Sequence, residues 1–270
     1  MLNGPLTTLR LPGPFARRRG RGAAFDPASL FANGEQGDDF WFWRDFCFTL
    51  SSGGVYEPVT TTGDQIARIT GTVNGINLDQ DVAEARPVYG ESGSIGWGEY
   101  DGVDDRLKSA SSIAFLNSTM NVFMGMRLTD TASRKRFLMH GAFSDAFWMG
   151  LNDFGDGGLT WTIRQGNDGT GDRPAVFADI PTDASFVATA LGDIDTYTAE
   201  LEINNNGILS ETKGSADFSF GNDTLYVFSR NNGEETVEGR LYNLLIVESD
   251  VSESREDIKK LVGQRSGVTI

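Results

Sequence analysis

The chain has 270 residues, a mass of 29.4 kDa and a formal net charge of -15, with one histidine and one cysteine. These counts exclude an intrachain disulfide and any zinc site built from several histidines. A chain of this length can bury a large core, and its 33 glycines and 11% aromatic residues favour many short strands joined by tight turns. No apolar run approaches the roughly 20 residues that a membrane helix needs, so we expect no membrane partner.

Residues 1–25 are predicted to form an extended basic arm. They contain five arginines and no acidic residue, whereas the rest of the chain carries 18 basic and 38 acidic side chains. Three prolines and no hydrophobic period indicate a segment that cannot fold alone, and no apolar stretch of a secretory or twin-arginine signal follows the arginines. We predict either a disordered tail or an arm that orders on a partner through Leu9, Arg10, Leu11, Phe15, Arg17, Arg18, Arg19 and Arg21.

The acidic body, residues 26–270, argues against nucleic acid as a partner, because like charges repel. The arginine run has no interleaved aromatic residues, so it too is a weak nucleic-acid signal.

The next segment, Phe40 to Phe48, is strongly aromatic and is predicted to form a strand. Alternation places four phenylalanines on one face and Trp41 and Trp43 on the other. Core packing is the first interpretation, because aromatic residues dominate protein cores. The alternative is a platform on which Trp41 and Trp43, with Trp97 further along the chain, stack against carbohydrate.

Residues 95–109 are predicted to form a hairpin that turns at Asp101-Gly102, with Trp97 and Glu99 on one face. Glu99, Asp101 and Asp104 approach the E-x-D-x-x-E pattern of concanavalin-like glycoside hydrolases. Retaining hydrolysis needs two carboxyl groups about 5–5.5 Å apart. Here Gly102 interrupts the strand and Asp104 is one carbon short, so we predict turn acids that bind backbone amides instead.

Further strands are predicted along 118–130, 134–153 and 159–230, with a division at Gly141–Asp145. Two loops in this part are rich in glycine and oxygen ligands, which suits calcium. The candidate ligands are Asp153, Asp156, Asp168 and Asp172, with ordinary turns as the alternative and no other cofactor expected. His140 and Cys47 lie between apolar neighbours and are predicted to be buried rather than catalytic.

The final unit is a strand over Thr236–Ser249 followed by a helix over Val251–Val262. Apolar and polar residues alternate in the first half of the strand. Its second half is apolar on both faces, as expected where covering structure lies above the sheet. Acidic residues begin the helix, lysines lie near its end, and Gly263 is predicted to stop it. Hairpins without a βαβ pattern predict an all-β, two-sheet antiparallel jelly-roll sandwich with one short C-terminal helix.

Three segments resemble the laminin-G/concanavalin-like jelly-roll modules of tailed-phage virion proteins. They are SLFANGEQG with the following aromatic pair (29–43), ARPVYG leading to EYDGVDDRL (85–107), and VEGRLYNLLIVES with its helix and GVTI end (237–270). The chain departs from the family at Phe42–Phe46, where a Tyr-Asp-Pro-Ser type of segment is expected.

The resemblance implies a non-enzymatic structural protein of the virion, assembled in the bacterial host cytoplasm, in a tail fibre or a capsid decoration. Its partners would be other virion proteins, further copies of itself as a trimer, and a host surface glycan. The arm would anchor the body, residues 26–270, to the particle. A polysaccharide-degrading glycoside hydrolase and a free carbohydrate-binding module are the alternatives.

Overall fold

The computed structural model describes residues 25–131, 134–141, 146–151, 158–164, 173–214, 218–230 and 235–270. The predicted anchoring residues between Leu9 and Arg21 lie outside the described residues, and so do the calcium candidates Asp153, Asp156, Asp168 and Asp172. The predictions made for them stay predictions. Among the described residues, no helix is long and apolar enough to span a membrane.

Strands dominate the part of the chain that the structure describes. In chain order they are β1 Gly37–Trp41, β2 Cys47–Leu50, β3 Tyr56–Pro58, β4 Arg68–Thr70, β5 Asn77–Asp79, β6 Val88–Ser92, β7 Ile95–Asp101, β8 Leu107–Ser109, β9 Ile113–Phe115, β10 Thr119–Leu128, β11 Lys135–His140, β12 Ala146–Leu151, β13 Leu159–Arg164, β14 Ala175–Ala178, β15 Ser185–Asp193, β16 Thr198–Ile203, β17 Leu209–Thr212, β18 Gly221–Asp223, β19 Leu225–Val227 and β20 Glu238–Val247. Two short 3-10 helices, Pro27–Phe31 and Ala83–Ala85, and one α-helix, α1 Arg255–Ser266, complete the described elements.

Two antiparallel sheets face each other across one large apolar core. The first has the order β17-β16-β15-β10-β20-β7-β6, with β1 also pairing to β20. The second has the order β14-β13-β12-β11-β19-β8-β5-β4-β2-β3, and β9 and β18 form a separate pair. The predicted all-β antiparallel sandwich is therefore confirmed.

Strand β20 is central to the first sheet, as its apolar sequence predicts. It pairs with β10 along one edge, and with β7 and then β1 along the other. Leu244 and Ile246 point into the core, whereas Leu245 and Val247 point outward under α1. Both faces of the strand are thus buried, which explains its unbroken apolar run.

Helix α1 covers the outer face of the first sheet but differs in its bounds from the predicted helix. It begins at Arg255 and ends at Ser266, and Gly267 in the left-handed conformation (φ 70°) is the residue that stops it. Gly263 lies inside the helix, where the Val268 amide donates to its carbonyl oxygen at 2.8 Å. A side chain at Gly263 would meet the returning C-terminal residues, so this glycine serves close packing rather than termination.

The predicted single strand from Phe40 to Phe48 is wrong, because the chain changes sheets within it. Strand β1 ends at Trp41 in the first sheet, and β2 begins at Cys47 in the second. The Trp43 carbonyl oxygen accepts from the amides of Phe46 (2.9 Å) and Cys47 (3.2 Å), which closes the turn between the two strands.

The predicted hairpin at Asp101-Gly102 is also wrong. Strand β8, which follows this turn, pairs with β19 and β5 in the opposite sheet. The Thr236 hydroxyl donates to the carbonyl oxygens of Gly102 (2.7 Å) and Val103 (3.1 Å), which fixes the crossing. The hairpin partner of β7 is β6, and Gly93 (φ 63°) lies between them.

Candidate functional site: an arginine-lined pocket

A row of side chains crosses the outer face of the second sheet. Met139 on β11 lies opposite Tyr226 on β19 and opposite Trp148 on β12, and Trp148 in turn lies opposite Thr162 on β13. Neighbouring residues on these strands, such as Phe147 and Leu138, point the other way into the core. Met139, Trp148 and Tyr226 therefore form a small apolar cluster outside the sandwich core.

Five arginines gather around this cluster and enclose a pocket of about 140 Å³. The pocket, here called the arginine pocket, is lined by Arg134, Arg136, Met139, Trp148, Arg164, Arg173 and Arg230. This is a concentration of positive charge on a protein whose formal net charge is -15. Guanidinium groups donate hydrogen bonds and accept none, so the arginine pocket suits a ligand rich in acceptor oxygens.

The Trp148 ring holds two of the arginines in place. The guanidinium carbons of Arg173 and Arg136 lie over this ring, 4.7 and 5.0 Å from its centroid. Such contacts are electrostatically favourable and fix the orientation of the guanidinium plane. Trp148 is only 5% exposed, so its function in the pocket is to order the arginines rather than to offer an open ring to a ligand.

Gly150 provides the space that Arg136 occupies. It lies directly opposite Arg136 in the β11–β12 pair. A Cβ atom at Gly150 would come within 3.0 Å of the Arg136 Nη1 atom and 2.5 Å of the Lys135 carbonyl oxygen. Glycine is therefore required here for a close approach rather than for a turn.

Glu235 brings a carboxylate to the arginine pocket. Its oxygens lie 3.3 Å from Arg230 Nη1, 3.5 Å from Arg136 Nε and 3.6 Å from Arg134 Nε. The Glu235 backbone has φ 55°, which side-chain-bearing residues rarely adopt, and its carbonyl oxygen accepts from the Arg136 amide at 3.0 Å. Arg164 also lines the pocket, and its buried Nε has no hydrogen-bond partner among the described residues.

No local sequence pattern predicts this site. Its arginines come from four separate parts of the chain, and only strand pairing brings them together. The local signal was the basic triplet Arg134–Arg136 at the start of a strand in an otherwise acidic body.

The predicted carbohydrate platform at Trp41 and Trp43 is a tightly packed pair. Their rings stack with centroids 5.8 Å apart and an interplanar angle of 16°. Arg265 lies over Trp41 at 4.7 Å, and Arg44 lies over Trp43 at 5.3 Å. Trp41 is 9% exposed whereas Trp43 is half-buried, so Trp43 presents more of its ring to a ligand.

Trp97 packs at a different place, on β7. Its ring meets Tyr242 edge-on at 6.1 Å and lies under the Arg240 guanidinium at 4.5 Å. One Glu99 oxygen accepts from both Trp97 Nε1 (2.8 Å) and Arg240 Nε (2.7 Å). Glu99, the first residue of the hydrolase-like pattern, is thus an ion-pair partner on the sheet surface.

Three carboxyl groups after β7 form an acidic cluster. Ligand oxygens of Asp101, Asp104 and Asp105 lie within 4.8 Å of one another, which a cation such as calcium could bridge. Two of them hold the turn, since Asp101 accepts from the Val103 amide (2.8 Å) and Asp105 from the Asp101 amide (2.9 Å). Burial, aided by the charges of Asp101 and Asp104, raises the pKa of Asp105 to about 7.

His140 and Cys47 are buried, as their apolar neighbours predicted. His140 Nε2 lies 3.0 Å from the Ile113 carbonyl oxygen, and the imidazole stacks on Phe147. Burial lowers the pKa of His140 and raises the pKa of the Cys47 thiol well above its usual range, so both groups are neutral near pH 7.

A second pocket, of about 490 Å³, lies beside the Pro27–Phe31 helix. It is lined by Asn33, Gly34, Glu35, Gln36, Ala114, Leu116, Asn117 and Glu248. The Glu248 carboxylate accepts from the Asn117 amide, and burial raises its pKa. The Glu35 carboxylate accepts from the Asn33 amide and side chain, both at 2.9 Å. The two acids therefore stabilise loops on either side of this pocket.

No protein-family model matches the chain, and no curated protein matches it. Similar solved structures include a mutant GH54 arabinofuranosidase, at 11% identity and TM-score 0.54, covering 90% of this chain and 65% of the other. The receptor-binding domain of botulinum neurotoxin mosaic serotype C/D has 11% identity and TM-score 0.54, and the match covers 86% of this chain and 51% of that domain. Trypanosoma rangeli sialidase in complex with sialic acid has 10% identity and TM-score 0.50, and the match covers 84% of this chain and 37% of the sialidase.

At these identities the similarity shows the fold alone, and the chain spans only part of each of these three structures. The resemblance to phage virion modules therefore stays a prediction.

Proposed function

We propose that this protein is a saccharide-binding β-sandwich that acts without catalysis, and that the arginine pocket is its binding site. The observation that carries the proposal is the set of five guanidinium groups around Trp148 on the outer face of the second sheet. Saccharides present many oxygen acceptors, which guanidinium donors match. Arg136 and Arg164 lie on strands, and the Trp148 ring orients Arg136 and Arg173, so these donors are ordered before a ligand arrives.

The chemistry of the described lining supports binding rather than catalysis. Arginine does not exchange protons at physiological pH, and methionine and tryptophan side chains are neither acids nor bases there. Glu235, the described carboxylate beside the pocket, is engaged by three arginines. A carboxylate that is held by several guanidinium groups orders their side chains, which favours a structural function for Glu235.

The fold comparisons add support of a coarser kind. Two of the similar structures are glycosidases, and one of these is described as holding sialic acid. A sandwich of this type is therefore compatible with saccharide binding, although the location of the site comes from this chain alone. Attachment to a virus particle through residues 1–25 is a separate prediction, and binding at the arginine pocket does not depend on it.

A glycan array followed by calorimetric titration tests the proposal. The whole protein is expected to bind saccharides, and Arg164→Met is expected to weaken that binding by about tenfold or more, because charged hydrogen bonds are strong. Arg68→Met is the matched control: Arg68 lies on the same sheet, is paired with Asp79 and lies over Tyr56 at 3.8 Å. Binding that is absent, or that falls equally in both variants, would contradict the proposal.

A further inference from the structure

The Glu235 carboxylate indicates which chemical group the arginine pocket can hold. Three guanidinium groups lie within 3.3 to 3.6 Å of its two oxygens. Planar guanidinium groups match the planar, two-oxygen geometry of a carboxylate better than they match a neutral hydroxyl. The protein thus already contains a carboxylate bound by this arginine cluster.

Arg164 supplies a donor that Glu235 does not use. It ends β13, on the same outer face as Trp148 and Thr162, and lines the arginine pocket. Its Nε is buried without a hydrogen-bond partner among the described residues, and leaving such a group unsatisfied is costly. A ligand carboxylate that reached Arg164 would remove this cost.

From these contacts we infer that the ligand is an acidic saccharide whose sugar ring carries a carboxylate, as uronic and sialic acids do. This inference rests on the proposed saccharide-binding function and specifies its ligand class. The ligand carboxylate pairs with Arg164, and the sugar ring lies in the same pocket beside the guanidinium groups of Arg136 and Arg173 that Trp148 orders. A volume of about 140 Å³ accommodates one charged group with part of its ring, so recognition concerns a single residue of a longer glycan.

The overall charge of the protein makes this recognition selective. Because the formal net charge is -15, an acidic glycan is repelled by most of the surface and attracted where arginines are concentrated. We therefore expect the affinity to depend on where the carboxylate lies in the glycan and not on the total charge of the glycan.

Matched saccharide pairs test the inference by calorimetry on the whole protein. The probes are digalacturonate with its carboxyl-reduced counterpart, sialyllactose with lactose, and a sulfated galactose disaccharide. At least one carboxylated probe is expected to bind about tenfold or more tightly than its neutral counterpart, as befits a charge-assisted contact. Arg164→Met is expected to remove this preference, and Arg68→Met, with thermal unfolding measured for both variants, is expected to preserve it.

The possible failures are distinguishable. Neutral and carboxylated probes that bind equally well at the arginine pocket would overturn the inference and leave the proposed function standing. Tighter binding of the sulfated probe than of either carboxylated probe would also overturn it, because a tetrahedral anion would then be the preferred group. If no saccharide binds, both the inference and the proposed function fail.

Discussion

Gly150 and Arg136 face each other across the β11–β12 pair, and the Arg136 side chain occupies the space that a side chain at position 150 would fill. The pocket is thus shaped by a residue that carries no chemistry of its own. Arg136 then reaches both the Trp148 ring and the Glu235 carboxylate.

We predict that Gly150→Ala displaces Arg136 and weakens saccharide binding several-fold. The added methyl group would approach Arg136 Nη1 and the Lys135 carbonyl oxygen, and overpacking of this kind costs about 1–3 kcal/mol in the free energy of unfolding. Titration and urea unfolding measure the two effects. Gly214→Ala is the control, because nothing lies within 4 Å of a Cβ atom there; equal losses in both variants would refute the prediction.

Replacing Glu235 by glutamine is predicted to strengthen the binding of a carboxylated saccharide by a few-fold. The substitution removes a negative charge that repels the ligand, and the glutamine carbonyl oxygen can still accept from the arginines. Calorimetry with sialyllactose or digalacturonate, each beside its neutral counterpart, measures the change. Weaker binding of both probes at unchanged thermal stability would show that Glu235 orders the arginines more than it opposes the ligand.

Asp105 is predicted to make the free energy of unfolding depend on pH. Its pKa is about 7 in the folded protein, against about 3.9 in an unfolded chain, so the folded state binds the proton more tightly. The free energy of unfolding therefore decreases as pH rises from about 4 to about 7, and a shift of this size corresponds to a few kcal/mol.

Asp105→Asn should flatten this pH dependence and raise stability at pH 8, as measured by urea unfolding at several pH values. The exposed Asp81→Asn variant is the control and should keep the slope of the original protein. If Asp105→Asn keeps it as well, the pKa of Asp105 is not raised as described.

Lys259 is predicted to matter far more for stability than its neighbour Lys260. Lys259 is buried on α1, 2.8 Å from Glu202 on β16 and 2.9 Å from Glu256, whereas the Lys260 side chain is 56% exposed. Removing one partner of a buried ion pair costs about 3–5 kcal/mol, and exposed pairs contribute about 0–1 kcal/mol.

Urea unfolding of Lys259→Met and Lys260→Met measures this difference directly. The double variant Lys259→Met with Glu202→Leu should recover part of the loss, since the Glu202 carboxylate is then no longer buried without the ammonium group of Lys259. Equal stabilities of the two single variants would contradict the prediction.

The sequence predicted the fold well where a strand stays in one sheet and its surroundings do not change along its length. Leu244 to Val247 are apolar on both faces because a core lies beneath them and α1 lies above, and the pattern shows this directly. It predicted less well where the chain passes between sheets. In the local sequence, the turn after Trp41 resembles the interior of a strand, and the turn after Asp101 resembles the turn of a hairpin. Contacts with distant residues, such as Thr236, show that the chain passes to the other sheet instead.

The candidate site was the least predictable part. Arg136, Arg164 and Arg230 are far apart in the chain, and each has the sequence context of an ordinary solvated residue. The pairing of β11 with β12 and β19, and of β12 with β13, brings them together. The tryptophans that the sequence indicated as a carbohydrate platform pack against arginines and other rings, whereas no sequence pattern indicated a function for Trp148.

The pairing of β1 with β20 has a consequence for biosynthesis. Asp39 and Asn243, joined by a hydrogen bond of 2.9 Å, are 204 positions apart. During translation, β1, β7 and β10 therefore emerge from the ribosome long before the strand that fills the gap between them. Their backbone edges stay unpaired and their apolar faces stay uncovered until then, so chaperone protection during synthesis should decide how much of this protein reaches its native state in a cell.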